Sequence, residues 1–203
     1  MLQEITARAV EVLARGGLVV LPTETVYGLA ANATDDRAVA CLFSTKSRAA
    51  EKALVVLMAD AAGLTEFAAE VPPGAEALAT RFWPGPLTVV VLKSPVLSDL
   101  VTGGRPTVGL RVPDHDLTRL ILRTAGFPVA MTSANLSGAA EPVTADQAWA
   151  DLGGVVDLLI DDGPCPGGVP STVVDMTSSP PRLLRLGPVS RADLERIIGP
   201  VEA

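Results

Sequence analysis

Thr23, Glu24 and Thr25 follow directly on the apolar run Gly17–Pro22, so two hydroxyls and a carboxylate stand where a strand should end. Turn and capping chemistry draws on the same residue types, and spacing alone does not separate the two readings. Lys46, Arg48 and Lys52 place three cations within seven residues, just ahead of the run ALVVLM. Such a group suits phosphates, because a guanidinium binds two oxygens at once and an ammonium acts as a point charge. A solvated surface patch has the same composition. Arg111 interrupts the apolar run Thr107–Val112. An arginine in a strand is costly unless it faces a polar cavity or an anion, so a functional role is expected there. Thr132, Ser133 and Asn135 close the run PVAM, and Arg185 is another cation in a strand context. The stretch Gly163–Gly168 is either an anion-holding set of backbone N–H groups or a plain flexible loop.

The familiar catalytic signatures are missing. The sequence has no G-x-x-x-x-G-K-[ST] loop, no strand-linked G-x-G-x-x-G, no H-E-x-x-H and no G-x-S-x-G. The only histidine, His115, lies in the Pro113–Asp116 turn and reads as a surface turn residue. Cys41 and Cys165 are far apart and in no metal-like spacing, so both are expected to be free structural thiols.

The elements that must position these residues alternate. Expected strands are Gly17–Pro22, Ala53–Met58, Leu87–Lys93, Thr107–Val112, Pro128–Thr132, Asp157–Ile160, Ser171–Met176 and Arg182–Leu186. Most are β-branched runs bounded by Gly or Pro. Expected helices are Thr6–Arg15, Arg37–Thr45, Ala61–Ala69, Gly74–Phe82, Leu117–Thr124, Ala145–Leu152 and Arg191–Ile198. Thr144 with Gln147 forms a capping-box pattern, Ser190 stands at an N-cap position, and Gly126 and Gly199 stand just past two helix ends. With 48% hydrophobic and 19% charged residues the chain is globular. Only 3% are aromatic, so the core must come from Val, Leu, Ile and Ala. The fold class read from this alternation is α/β, one domain over residues 1–203 built on a mixed, twisted sheet.

A net charge of −7 is the opposite of the basic surplus of general nucleic-acid binders. Anionic ligands must then be met by cations gathered inside an acidic shell. No apolar run reaches the roughly 20 residues that span a bilayer, and the first residues read as an amphipathic helix without the apolar core of a signal peptide. The expectation is a reduced, cytoplasmic protein with no membrane association.

In combination the segments resemble the YrdC-like threonylcarbamoyl-AMP synthase family. The matching runs are PTETVYGL (Pro22–Leu29), KSRAAEKAL (Lys46–Leu54), WPGPLTVVL with one extra valine (Trp83–Leu92) and VGLRVP (Val108–Pro113). TSANLSG (Thr132–Gly138), PSTVVD (Pro170–Asp175) and LLRLGP (Leu183–Pro188) follow in order. The resemblance implies a twisted α/β sheet around a deep, basic cavity. It further implies a nucleotidyltransferase that carbamoylates L-threonine with bicarbonate or CO2 and joins the carbamate to AMP from ATP, releasing pyrophosphate. Thr25, Arg111, Met131 and Ser171 would hold threonine, with Arg111 on its carboxylate. Lys46, Arg48 and Lys52 would handle phosphates electrostatically, with no side-chain nucleophile. Thr107, Ser133, Asn135, Glu141 and Arg185 would position the nucleotide. Mg²⁺ would arrive with ATP, with no protein metal site. The product would pass to a separate tRNA threonylcarbamoyl-transferase complex for threonylcarbamoyladenosine modification of tRNA, and a weak direct RNA contact stays open.

Some positions depart from the family pattern. Ala49 and Ala53 stand where prolines are frequent, and Leu57 stands where many members carry a histidine near threonine. The chain also stops soon after LLRLGP, which reads as a short, single-domain form. Two alternatives remain: a YrdC-like paralogue with another substrate, and an RNA-binding or ribosome-associated module. The joint presence of Lys46, Arg48, Ser133 and Asn135 favours the synthase, and the acidic charge weighs against RNA binding.

Overall fold

Valine-rich runs become strands here because β-branched side chains pack well on a pleated surface covered from both sides. A computed structural model describes residues 2–47, 49 and 51–202. Among these, nine strands form one mixed sheet. They are β1 (Val19–Leu21), β2 (Gly28–Asn32), β3 (Val55–Leu57), β4 (Leu87–Leu92), β5 (Thr107–Arg111), β6 (Val129–Ser133), β7 (Leu158–Leu159), β8 (Thr172–Asp175) and β9 (Arg182–Arg185). Their order across the sheet is β7-β1-β2-β6-β3-β5-β4-β8-β9. Parallel ladders join β1 to β7, β3 to β5 and β4 to β8, and the other pairings are antiparallel.

The helices are α1 (Leu2–Ala14), α2 (Asp36–Thr45), α3 (Gly63–Phe67), α4 (Ala75–Phe82), α5 (Asp99–Thr102), α6 (Asp116–Ala125), α7 (Ala145–Leu152) and α8 (Arg191–Ile198). Strand alternation divides the core in two. Leu18, Val20, Leu29, Val56, Leu110, Val89 and Val174 share the larger cluster with residues of α2, α4 and α8. Val19, Leu21, Ala30, Val129 and Met131 point the other way and pack with Ala9, Val12 and Leu13 of α1 and Ile121 and Leu122 of α6. On that second face α1 and α6 cover the β1, β2 and β6 half, and their cluster extends to Leu57 of β3. Residues of the same parity on β3, β5, β4 and β8 line a cavity instead.

All eight expected strands are present, most of them trimmed at the ends. The reading missed β2, whose sequence Gly-Leu-Ala-Ala-Asn has little intrinsic strand preference. It is a strand because every residue is buried between β1 and β6. The four-residue α5 was also missed, and α3 is shorter than the expected Ala61–Ala69. α7 and α8 match to the residue. The Thr144–Gln147 capping box and the Ser190 N-cap both form, and Gly126 and Gly199 have positive φ. His115 is more than a turn residue: its Nδ1 accepts from Thr118 N as the N-cap of α6. No helix among the described residues is long and apolar enough to cross a membrane.

Thr172 of β8 ties down the segment that follows β9. Fully buried, it donates to Val189 O at 2.7 Å and accepts from Gly187 N at 2.9 Å and Val189 N at 3.1 Å. Thr172→Val keeps the volume and strands all three groups. A loss of about 2–4 kcal/mol is expected, on the scale of several broken buried hydrogen bonds. Urea unfolding with an unchanged slope and a lower midpoint is the readout.

Candidate functional site

The cavity over β3, β5, β4 and β8 has a volume of about 480 Å³. Of the residues expected to bind threonine, Thr25, Arg111, Met131 and Ser171 all line it. So do Thr107, Ser133, Glu141 and Arg185 from the nucleotide set. Tertiary structure therefore gathers eight positions scattered between residues 25 and 185. The ionisable lining is Arg105, Arg111 and Arg185 against Glu141 and Asp175. Among the lining side chains arginines thus outnumber carboxylates by one, inside a chain of net charge −7.

Arg111 ends β5 at 7% exposure, and three neighbours hold its guanidinium. Nε donates to Gly85 O at 3.2 Å, Nη2 donates to Thr25 Oγ1 at 3.0 Å, and Nη2 lies 2.8 Å from Glu24 Oε2. That last contact is a close ion pair without the alignment of a hydrogen bond: both Glu24 oxygens are buried with no aligned donor among the described residues. The Thr25 hydroxyl is 2.8 Å from that of Thr23, which itself donates to Val26 O. Arg111 thus meets both conditions expected of an arginine in a strand, an anionic partner behind it and a polar cavity in front.

A second polar group faces it across the sheet. Ser171 Oγ is 2.8 Å from Thr88 Oγ1, and Arg185 donates from Nε to Ser171 O at 2.9 Å and from Nη2 to Ser171 Oγ at 3.2 Å. Burial lowers the pKa of Arg185, opposed by the Glu141 carboxylate and assisted by the Arg111 charge. Being an arginine, it remains a cation in the working range.

The basic segment is placed differently from the lining set. Lys46 is 1% exposed, and its ammonium donates to the backbone oxygens of Ser133 and Asn135 and to Asn135 Oδ1 at 3.2 Å. Asn135 Nδ2 in turn donates to Ala139 O at 2.7 Å. Lys46 and Asn135 therefore shape the loop after β6 and do not line the cavity. Lys52 is exposed, next to the lining residue Ala53. Arg48 lies outside the described residues.

Tyr27 joins the loops. Its N–H donates to Pro142 O, its carbonyl accepts from Ala134 N, both at 2.8 Å, and its hydroxyl donates to Gly163 O at 2.6 Å. The Gly163–Gly168 stretch was read as a candidate anion cradle, but its N–H groups have protein acceptors. Gly163 N donates to Asp161 Oδ1, Cys165 N to Val143 O, Gly167 N to Glu24 O and Gly168 N to Thr25 O. Position 167 must be glycine, since a Cβ there would stand 2.6 Å from Glu24 O. Both cysteines are free; Cys165 is buried, and burial first of all raises its pKa.

Sequence reading missed Glu24 as the partner of Arg111, although it lay inside a motif already singled out. It also missed Arg105, Thr88 and Asp175. Strand alternation was the available signal for Arg105, which precedes Arg111 by way of Gly109 and Thr107 in steps of two.

The fold belongs to a known class. The model of the Sua5/YciO/YrdC family, described as telomere recombination, matches residues 11–187, and the chain belongs to that family. It is 44% identical over 186 residues to the threonylcarbamoyl-AMP synthase of Pyrococcus abyssi, covering 92% of this chain and 55% of that one. Identity to the Bacillus subtilis threonylcarbamoyl-AMP synthase is 40% over 196 residues, covering 96% and 57% respectively. The chain thus spans a little over half the length of these two relatives. The structure of P. abyssi Sua5 complexed with L-threonine matches with a TM-score of 0.96 at 41% identity, covering 100% of this chain and 59% of that one. The expected YrdC-like fold is borne out.

Tyr27 is the only tyrosine, so its ionisation can be followed directly. Burial, assisted by Asp161, pushes its pKa up to about 12 from an ordinary value of about 10. Between these values the unfolded chain gives up the proton first, so stability should fall as pH rises from about 10 through about 12. Absorbance at 295 nm should show a midpoint near 12. A midpoint near 10 would mean the phenol is not buried beside Asp161 as the structure has it.

Proposed function

We propose that this chain is an L-threonylcarbamoyladenylate synthase, joining L-threonine, bicarbonate or CO2, and ATP for threonylcarbamoyladenosine modification of tRNA. The observation that carries it is the pairing, in one cavity, of a buried Arg111 fixed beside Thr25 with the facing Ser171–Arg185 group. The first suits a small carboxylate that also offers hydroxyl and amine. The second shares the cavity with Thr107, Ser133 and Glu141, which suit a nucleotide. Similarity to synthases at 40–44% identity, and to a Sua5 solved with L-threonine, supports the same reading.

In this mechanism the Arg111 guanidinium pairs with the threonine carboxylate, and Thr25 and Ser171 orient the remainder against Met131. The neutral amine attacks CO2, forming a C–N bond and losing a proton. A carbamate oxygen then attacks the α-phosphorus of ATP in line. The P–O bond to the β-phosphate breaks, and its electron pair leaves with pyrophosphate. No side-chain nucleophile takes part; the work is positioning and charge stabilisation. Arg48 and Lys52 are proposed phosphate ligands. Lys46, through Ser133 and Asn135, sets the loop on which the nucleotide rests. Mg²⁺ enters as part of the Mg·ATP substrate. The two lining carboxylates, Glu141 and Asp175, sit on separate segments, which fits an ion carried by the triphosphate better than one fixed by protein ligands. The adenylate then serves a separate transferase complex acting on tRNA, and the free thiols suit a cytoplasmic setting.

Pyrophosphate release from Mg·ATP should require threonine and bicarbonate together, with the adenylate visible by mass spectrometry. Release that ignores either one, or no release from folded protein that binds ATP, defeats the reading. Arg111→Ala should raise the threonine requirement on the order of 100-fold, as truncating one partner of a buried charge pair does. The ATP requirement should move far less. Arg111→Lys retains the charge but not the fork, and should fall between.

A further inference from the structure

Three guanidinium groups line the cavity, and two are already committed to protein acceptors. Arg111 serves Gly85, Thr25 and Glu24, and Arg185 serves Ser171. Arg105, exposed at the cavity edge as Arg185 is, differs in that its side chain has no hydrogen bond or ion pair among the described residues. Five N–H donors in a fixed fork therefore stand at the cavity edge without an acceptor among the described residues.

The base of this side chain is held firmly. Arg105 N donates to Thr102 O at 3.3 Å, and the fully buried Thr102 donates from Oγ1 to Arg105 O at 2.8 Å. Pro106 O accepts from Lys93 N at 2.8 Å. Gly103 and Gly104, at φ 61 and 75, fold the chain back between α5 and β5. Alternate residues Arg105, Thr107, Gly109 and Arg111 then follow one side of β5 and all line the cavity. Six residue steps at strand spacing cover roughly 20 Å, so the two guanidiniums mark a deep end and a mouth. Gly109 keeps the floor between them low, since a Cβ there would meet Thr88 Cγ2 at 3.0 Å. The acids nearby are engaged: Asp175 Oδ1 accepts from Thr177 N and Oγ1, and the Glu141 charge acts on Arg185.

We propose that Arg105 is a polyphosphate-binding residue, gripping the β- and γ-phosphates of ATP and the pyrophosphate they become. The assignment rests on the ATP-dependent reading above. When the bond from the α-phosphorus to the bridging oxygen breaks, negative charge grows on the leaving pyrophosphate, and a guanidinium held at the mouth meets it there.

Calorimetric titration of the wild type, Arg105→Ala and Arg105→Lys with Mg·ATP, AMP, Mg·pyrophosphate and threonine tests this. Arg105→Ala should weaken ATP and pyrophosphate about tenfold, as loss of a charge-assisted hydrogen-bonding group does. AMP and threonine should stay within about twofold, and Arg105→Lys should recover part of the loss. A merely structural role would weaken AMP and threonine as well, so equal losses overturn the proposal, as does unchanged ATP and pyrophosphate binding. Wild-type protein that binds neither polyphosphate also overturns it. If pyrophosphate binding depends on Arg105 but no turnover needs threonine and bicarbonate, the synthase reading fails and the polyphosphate site stands.

Discussion

A buried guanidinium must have its charge answered inside the protein, and much of this structure is arranged around that requirement. Arg111 is placed by β5 in the middle of the sheet, 7% exposed, with only the cavity side open to solvent. Removing such a charge from water costs several kcal/mol even after relaxation, so its neighbours are fixed. Gly85 presents a carbonyl, Thr25 a hydroxyl and Glu24 a carboxylate. The loop bearing Glu24 and Thr25 is itself pinned by the N–H groups of Gly167 and Gly168. An arrangement this constrained presents its remaining face to the cavity in one orientation. That is the preorganisation a site needs when it works by positioning and charge.

The two faces of the sheet divide the work. One face carries the larger core, with Leu110, Val89 and Val174 sealed under helices. The other is core where α1 and α6 cover it, as far as Leu57 of β3, and lines a cavity of mixed polar and apolar side chains where β5, β4 and β8 run on. A period-2 alternation on β5 therefore carries two different messages: Val108 and Leu110 hold the fold, while Thr107, Gly109 and Arg111 face the ligand. The large core under the cavity floor gives these side chains a rigid base.

Charge is divided in a similar way. The chain is acidic overall, yet arginines outnumber carboxylates among the cavity residues. Salt screens the outer charges within about 8–10 Å, while groups inside a partly enclosed site act at shorter range and lower dielectric. A small polyanion that enters the cavity meets local cations, whereas an extended polyanion on the outside meets net repulsion.

The sequence by itself determined a good deal here. The β-branched runs fixed eight strands, caps such as Thr144–Gln147 and Ser190 fixed helix starts, and the ordered motifs pointed to the family and to most of the cavity lining. Such signals are local, repeating over a few residues, and so survive in one dimension. What tertiary structure decided depends on pairings across long separations. β2 is a strand only because β1 and β6 enclose its alanines. Glu24 and Arg111 meet across 87 positions of chain, as do Lys46 and the Ser133 carbonyl. The N–H groups of the Gly163–Gly168 stretch were legible as donors, but only folding supplied the acceptors that occupy them. Residue type states what a side chain can do, and the packing of distant segments determines which partner it meets.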